Sequence, residues 1–233
     1  MQPDELAKTI DHTLLRADAV ALDVERLCRE ATQYHFATVC VFPHFVGLAH
    51  GLLRSADVKV CSVISFPFGA DVPKVKVLAA KEAVADGADE IDVVINVQAL
   101  LSGEFSLVRD ELASVVRAVR MRAVNSGRGQ VTVKAILETC YLSVKLKKLA
   151  CKICEQAGVD FAKTSTGYGP KGATVQDVEL LRDCLDEHIG VKASGGIRTV
   201  HDVELMLNAG ASRIGTSSGV AIIKESLGHS AAR

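Results

Sequence analysis

The stretch Ala85-Asp86-Gly87-Ala88-Asp89-Glu90-Ile91-Asp92-Val93-Val94-Ile95 ends a helical pattern, turns on a glycine and enters a β-rich apolar run with no linker between. The glycine supplies the left-handed position that closes a helix. The near-continuous apolar run reads as a strand of a parallel sheet whose outer face is covered by helices. Ala157-Gly158-Val159-Asp160 and Ala209-Gly210-Ala211-Ser212 repeat the same junction. The chain therefore carries an internal repeat of helix, glycine turn and strand.

Outward from that unit, β-rich segments recur at Thr9–Thr13, Thr38–Phe42, Lys59–Ser65, Glu90–Ile95, Val131–Leu137, Phe161–Ser165, Gly190–Ser194 and Ser212–Thr216. Helical patterns such as Leu22–Gln33, Val72–Asp86, Leu107–Val124, Val144–Ala157, Val175–Leu185 and Val200–Ala209 lie between them. Thr174-x-x-Asp177 and Thr199-x-x-Asp202 supply matching helix starts, a capping hydroxyl with an acid in the first turn. Strand alternating with helix demands a parallel sheet. With 233 residues and eight such units, closure fits better than an open sheet. The expectation is an α/β protein, a single (β/α)8 TIM barrel over residues 1–233 with a short N-terminal helical extension. Its first strand is the weakest.

The composition narrows the function. Lys and Arg number 27 against 28 Asp and Glu, a net charge of −1, so no global field recruits nucleic acid or an anionic membrane. Any anion must be held locally. Aromatics are 4% with no Trp, which argues against stacking platforms for single strands. The opening Met1–Lys8 lacks a signal peptide's basic start and apolar core, and no apolar run approaches about 18 residues. The chain reads as cytoplasmic. Its seven cysteines, an odd number, then read as free thiols in a reducing compartment. Cys151 and Cys154 form a C-x-x-C inside a helical pattern without a second ligand pair, so a packing role is expected. Cys40 takes the opposite strand parity from Val39 and Val41, and a packed thiol is the simpler reading.

In such a barrel, catalytic groups project from the carboxyl ends of strands. Three strands each carry a lysine amid apolar residues: Lys134, Lys163 and Lys192. Burying an ammonium is costly unless it is paired or deprotonated, so three in succession argue against chance. Asp92 and Asp11, poor strand formers among β-branched neighbours, answer them. The combination suggests a proton-transfer network. Glu138 either joins that set or is a solvated loop acid. His12 has the parity opposite to Asp11 and reads as a packed or rim histidine. Two adjacent lysines suit Schiff-base chemistry, in which an imine withdraws electrons and a carbon–carbon bond breaks without a metal. No metal-ligand cluster is visible, and neither a metal nor a cofactor is expected. The last two strands end in Ser194-Gly195-Gly196 and Gly215-Thr216-Ser217-Ser218-Gly219, and Thr164-Ser165-Thr166-Gly167 follows Lys163. Such small, hydroxyl-rich turns after strands seven and eight suit a phosphate at a helix N-terminus.

These residues resemble the deoxyribose-phosphate aldolase family of metal-independent barrel enzymes. The likeness covers nearly the whole chain. Its carriers are Ile10-Asp11-His12-Thr13-Leu14, Val39-Cys40-Val41, Ile64-Ser65-Phe66-Pro67-Phe68-Gly69-Ala70, Ala88 through Asn96, Lys163-Thr164-Ser165-Thr166-Gly167 and Val191-Lys192-Ala193-Ser194-Gly195-Gly196-Ile197-Arg198. The resemblance implies that Lys163 is the Schiff-base lysine, Lys192 the cation that lowers its pKa, and Asp92 the proton donor and acceptor. It places Asp11, Cys40, Lys134 and Thr166 in the substrate pocket, and the substrate phosphate on Gly167, Gly195, Gly196, Gly215, Ser217 and Ser218. The implied reaction is reversible cleavage of 2-deoxy-D-ribose 5-phosphate to glyceraldehyde 3-phosphate and acetaldehyde. The implied partners are small phosphorylated sugars and aldehydes, not nucleic acid or membrane, in a homo-oligomer (dimer or tetramer).

Two positions depart from the family pattern. Tyr168 stands where some members carry a phosphate-contacting lysine, and the tail Gly228–Arg233 lacks the terminal tyrosine of others. Tyr168 or a water is then the candidate to assist proton transfer. The alternatives are a Schiff-base aldolase for another aldehyde pair and a non-catalytic sugar-phosphate-binding barrel. Against the second stands the trio Lys163, Lys192 and Asp92, since phosphate binding alone needs no second buried lysine.

Overall fold

The computed structural model describes residues 2–231. Met1, Ala232 and Arg233, which the single-domain expectation includes, lie outside the described residues, as does the end of the tyrosine-free tail. Eight parallel strands close into a barrel in sequence order: β1 (Ile10–Thr13), β2 (Thr38–Val41), β3 (Lys59–Ile64), β4 (Glu90–Val94), β5 (Thr132–Ile136), β6 (Phe161–Lys163), β7 (Gly190–Ser194) and β8 (Arg213–Thr216), with β8 returning to β1. The helices are α1 (Pro3–Ala7), α2 (Ala21–Gln33), α3 (Val46–Leu53), α4 (Pro73–Asp86), α5 (Val97–Leu101), α6 (Phe105–Asn125), α7 (Val144–Ala157), α8 (Val175–Cys184), α9 (Val200–Asn208) and α10 (Gly219–Ala231). The short α1 is the expected N-terminal extension, and it packs against α10.

The expected junctions are present. Gly87 caps α4 at φ +117°, where an added Cβ would also stand 2.3 Å from the His50 ring. Thr199 accepts from the Asp202 N–H at 3.1 Å while the Asp202 carboxylate accepts from the Thr199 N–H at 3.0 Å, a full capping box. Strand β6 ends at Lys163, two residues before the sequence suggests, although the Thr164 N–H still donates to the Lys192 carbonyl at 3.0 Å.

Strand parity sorts the interior. Ile10, Val39, Val41, Ile91, Val93, Val133, Ala135, Val191, Ala193 and Ile214 face outward into one continuous core beneath the helices. A smaller apolar cluster of Leu15, Cys40, Cys61 and Val63, flanked by Phe42 and Phe66, lines the inside of the barrel at β2 and β3. The other inward positions are charged. Their ion pairs join β4 to β7, β7 to β1 and β4 to β8, none of them neighbours in the sheet, so these side chains meet across the barrel lumen.

Candidate active site

Asp92 on β4 is the hub of the lumen. Its Oδ2 accepts from Lys163 Nζ at 2.8 Å and Lys192 Nζ at 2.7 Å, and its Oδ1 from Lys134 Nζ at 2.8 Å. Cys61 donates to the same Oδ1 at 3.1 Å. A layer below, Lys134 pairs with Glu90 at 2.5 Å, and Arg213 joins Asp11 at 2.6 Å to Glu90 at 3.2 Å. Lys192 also donates to Asp11. Four cations thus meet three carboxylates, and the expected network of three lysines and two acids is enlarged by Glu90, Arg213 and Cys61.

Electrostatics fixes most of these charges. Burial opposes ionisation of Asp92, yet Lys134, Lys163 and Lys192 together hold its carboxyl well below the usual range. Asp11 is likewise lowered against burial by Lys192, Arg213 and Lys134. Burial would lower Lys192, but Asp11 and Asp92 outweigh it and raise the ammonium above its ordinary value. Lys134 is raised in the same way, chiefly by Asp92. Both remain cations at neutral pH.

Lys163 differs in two respects. It has a single carboxylate partner among the described residues, whereas Lys134 has Glu90, Asp92 and Asp11 within 4 Å and Lys192 has two. It also lines the cavity at the carboxyl ends of the strands, of about 580 Å³, and keeps 3% exposure where Lys134 and Lys192 have 0%. Of the three lysines it has the fewest ion pairs, and it is the one that lines the cavity.

The cavity wall also contains Thr166, Gly167, Gly195, Gly196, Gly215 and Ser217. Asp11, Cys40, Asp92, Lys134 and Lys192 lie beneath its floor, fully buried. Ser218 stands just behind the wall, directly before α10, with its N–H donated to Thr216 Oγ1 at 2.9 Å. Glu138, left open between two readings, is buried and not a solvated loop acid: from a left-handed conformation at φ +52° it accepts from the Thr166 N–H at 3.2 Å and from its hydroxyl. It braces the loop that follows Lys163. His12 is packed, with Nε2 2.8 Å from Glu30 and its ring 5.0 Å from that of Phe36.

Tyr168 reaches across the mouth and donates to the Leu15 carbonyl at 2.5 Å, while its ring meets Phe66 edge-on at 5.4 Å. The sequence gives no warning of Arg16 and Arg26, which line the mouth from the β1–α2 side, both paired with Asp23. Arg198, in the quoted Gly195-Gly196-Ile197-Arg198, is a third guanidinium in the wall. Cys151 and Cys154 are buried in α7, and burial pushes the Cys151 thiol up to about 12 and Cys154 further, which leaves both inert.

Comparison with known proteins places this geometry in context. Residues 6–227 match the family model described as DeoC/LacD family aldolase. A deoxyribose-phosphate aldolase of Thermoanaerobacter sp. (strain X514) is 51% identical, over 94% of this chain and 96% of that protein. Among solved structures, the aldolase QR15 superposes with a TM-score of 0.90 at 39% identity, covering 97% of this chain and 98% of the other. A tetrameric deoxyribose phosphate aldolase from Aeropyrum pernix gives 0.87 at 37%, covering 96% and 91%.

Proposed function

The chain belongs to the DeoC/LacD aldolase family, and from that premise we propose that it reversibly cleaves 2-deoxy-D-ribose 5-phosphate to D-glyceraldehyde 3-phosphate and acetaldehyde through a Schiff base on Lys163. The observation that carries the assignment is the unequal pairing of the lysines: Lys163 is the one in the cavity wall and the one with a single carboxylate partner.

The neutral Lys163 amine attacks the aldehyde carbon of the open-chain sugar, and loss of water gives the iminium. Lys192, held protonated by Asp11 and Asp92, keeps a positive charge beside the reacting nitrogen without competing for the aldehyde. A base then removes the C3 hydroxyl proton, the C2–C3 bond breaks, and its electron pair moves into the iminium to form a neutral enamine. That neutralisation removes one of the three cations facing Asp92, so its proton affinity rises when the proton needs a place. Asp92 in this reading carries the proton, and returns it to the enamine carbon before water releases acetaldehyde. Glu90, Lys134 and Arg213 hold Asp92, Asp11 and Lys192 in place from below. The substrate phosphate lies against Gly167, Gly195, Gly196, Gly215 and Ser217, with Ser218 at the start of α10 and Arg198 as a neighbouring cation.

The whole chain is taken as one catalytic domain. No helix among the described residues is long and apolar enough to cross a membrane, and seven free thiols support a reducing, cytoplasmic setting. The tetrameric relative supports a homo-oligomer, which sedimentation of the purified chain measures. The deciding test of the chemistry is reduction with borohydride in the presence of acetaldehyde, followed by peptide mapping. One reduced two-carbon adduct on Lys163 is expected; labelling solely at Lys192 or Lys134 reverses the assignment.

A further inference from the structure

We propose that Cys40, Cys61 and Asp92 form an inhibitory binding site for a thiophilic divalent cation of the zinc and cadmium class. Two sulfurs and a carboxylate oxygen, from β2, β3 and β4, lie within 4.8 Å of one another. Among the described residues no other group of three His, Cys, Asp or Glu side chains converges in this way. The thiols are register partners on adjacent parallel strands, and both turn inward.

The spacing suits the ion. Zinc binds thiolate and carboxylate at ~2.0–2.3 Å, so ligand atoms of a tetrahedral site stand roughly 3–4 Å apart. Cys61 Sγ and Asp92 Oδ1 are already at 3.1 Å. The two carboxylate oxygens have separate partners: Oδ1 faces Cys61 and Lys134, while Oδ2 serves Lys163 and Lys192. A cation that takes Oδ1 competes there with Lys134, which also donates to Cys61 Sγ at 3.5 Å and keeps Glu90 as its own partner, and leaves the Oδ2 pairs in place.

Charge balances as well. The lumen holds four cations and three carboxylates. As the dipositive ion enters, both thiols lose their protons to solvent and two sulfur–metal bonds replace two S–H bonds, so the net charge of the lumen is unchanged. The approach is from the cavity, which is lined by Leu15, of the same apolar cluster as both thiols, and by Lys163, which bonds Asp92.

Turnover needs no such ion on the mechanism above, and the ion opposes it. Bound at Oδ1, it withdraws electron density from the carboxylate that is to accept the substrate proton, and it sets a second positive centre beside Lys163. The inhibition rests on the aldolase reading; the site itself does not.

Cadmium titration of the chelator-stripped protein separates the two. The expected result is an ultraviolet thiolate–cadmium charge-transfer band saturating at one ion per chain, abolished by Cys61→Ala and retained in Cys151→Ala. Two protons are released per ion, so apparent affinity rises up to about 100-fold per pH unit. Zinc in excess should compete with cadmium, whereas magnesium should not, given its preference for oxygen ligands. Saturating zinc should cut kcat/KM by more than about tenfold, or ~1.4 kcal/mol, restored by chelator, while Cys61→Ala, compared with its own metal-free rate, changes less than about twofold. Absence of the band, or a band and inhibition that survive Cys61→Ala, overturns the site. A Cys61-dependent band with unaltered turnover overturns the inhibitory role. Protein that binds cadmium as expected but never cleaves the sugar phosphate instead refutes the aldolase reading.

Discussion

Replacing Asp92 by Asn keeps the side chain's shape and removes the charge on which three ammoniums converge. The pairs lost are those to Lys163 at 2.8 Å, Lys192 at 2.7 Å and Lys134 at 2.8 Å, all in a fully buried setting. Removing one partner of a buried ion pair costs about 3–5 kcal/mol, because the other charge stays behind without compensation. Asp92→Asn should therefore lose at least that much at pH 7, softened if one lysine sheds its proton. The deficit should also depend on pH with a definite sign. The folded-state pKa of Asp92 is depressed, so its contribution is complete above the unfolded value of about 3.9 and declines as pH falls toward the folded value. Below pH ~4 the gap between wild type and variant should narrow by about 1.4 kcal/mol per pH unit, since other carboxylates titrate in both and cancel.

Urea unfolding at several pH values from 7 down to about 3 measures this gap directly, provided both proteins unfold in one transition with equal slopes in denaturant. In the same variant kcat should fall by about 10²–10⁴, the usual worth of a positioned proton carrier. Acetaldehyde should still be trapped on Lys163, more slowly. A deficit that stays constant down to pH 3 would show that Asp92 is not held ionised by its lysines. A kcat within tenfold of wild type would remove it from the proton-transfer role whatever the stability result.

Ser218→Asp sets a carboxylate beside the proposed phosphate position at the start of α10. The ratio of kcat/KM for deoxyribose 5-phosphate to that for unphosphorylated deoxyribose should fall by more than about tenfold, or ~1.4 kcal/mol; equal losses on both substrates, with the fold intact, would place the phosphate elsewhere. Lys76→Met tests a buried pair outside the site. Lys76 on α4 donates to Glu111 on α6 at 2.6 Å and to the Val94 carbonyl at 3.0 Å, both side chains being almost fully buried. The unpaired Glu111 should cost about 3–5 kcal/mol by denaturant unfolding while leaving trapping on Lys163 unchanged; a loss below about 1 kcal/mol would mean that Glu111 simply takes up a proton, the direction in which burial already pushes it.

The site was legible wherever strand period alone decides direction. Asp11, Asp92, Lys134, Lys163 and Lys192 are read from residue type in apolar strands, Cys40 enters the pocket only through the family resemblance, and all six point inward. The same rule reaches further than it was taken. Glu90 is two residues from Asp92 and Arg213 two from Gly215, so each shares an inward face already identified. Lys76 falls on a stripe with Ala80, Ala83 and Val84, the i, i+4, i+7, i+8 spacing of a buried helix face, and helical period alone would have placed it inside. Other features have no local signal. Arg16 from the β1–α2 loop and Arg26 from α2 share the cavity wall with Thr216 and Ser217 at the end of β8, and Glu138 meets Thr166 across two loops. Both depend on how separate units of the barrel are set against each other.

The lumen is divided, and the division shows how one small barrel can be both stable and reactive. On the β2 and β3 side it is lined by Leu15, Cys40, Cys61 and Val63; from β4 round to β1 it is filled with seven ionised or ionisable side chains. Buried ion pairs add little net stability, so the fold is held by the outer core between sheet and helices, which contains none of these charges. The lumen is then free to be arranged for charge. Asp92 stands at the seam, with Oδ1 turned toward Cys61 and Oδ2 toward the cavity lysine. A carboxylate deeper in the charged half would sit among cations held by their own partners, as Glu90 does between Lys134 and Arg213, and neutralising Lys163 would not alter its surroundings. At the seam, loss of the Lys163 charge is felt directly by the one carboxylate among the described residues that this lysine touches, and in the proposed mechanism that coupling links imine chemistry to proton transfer.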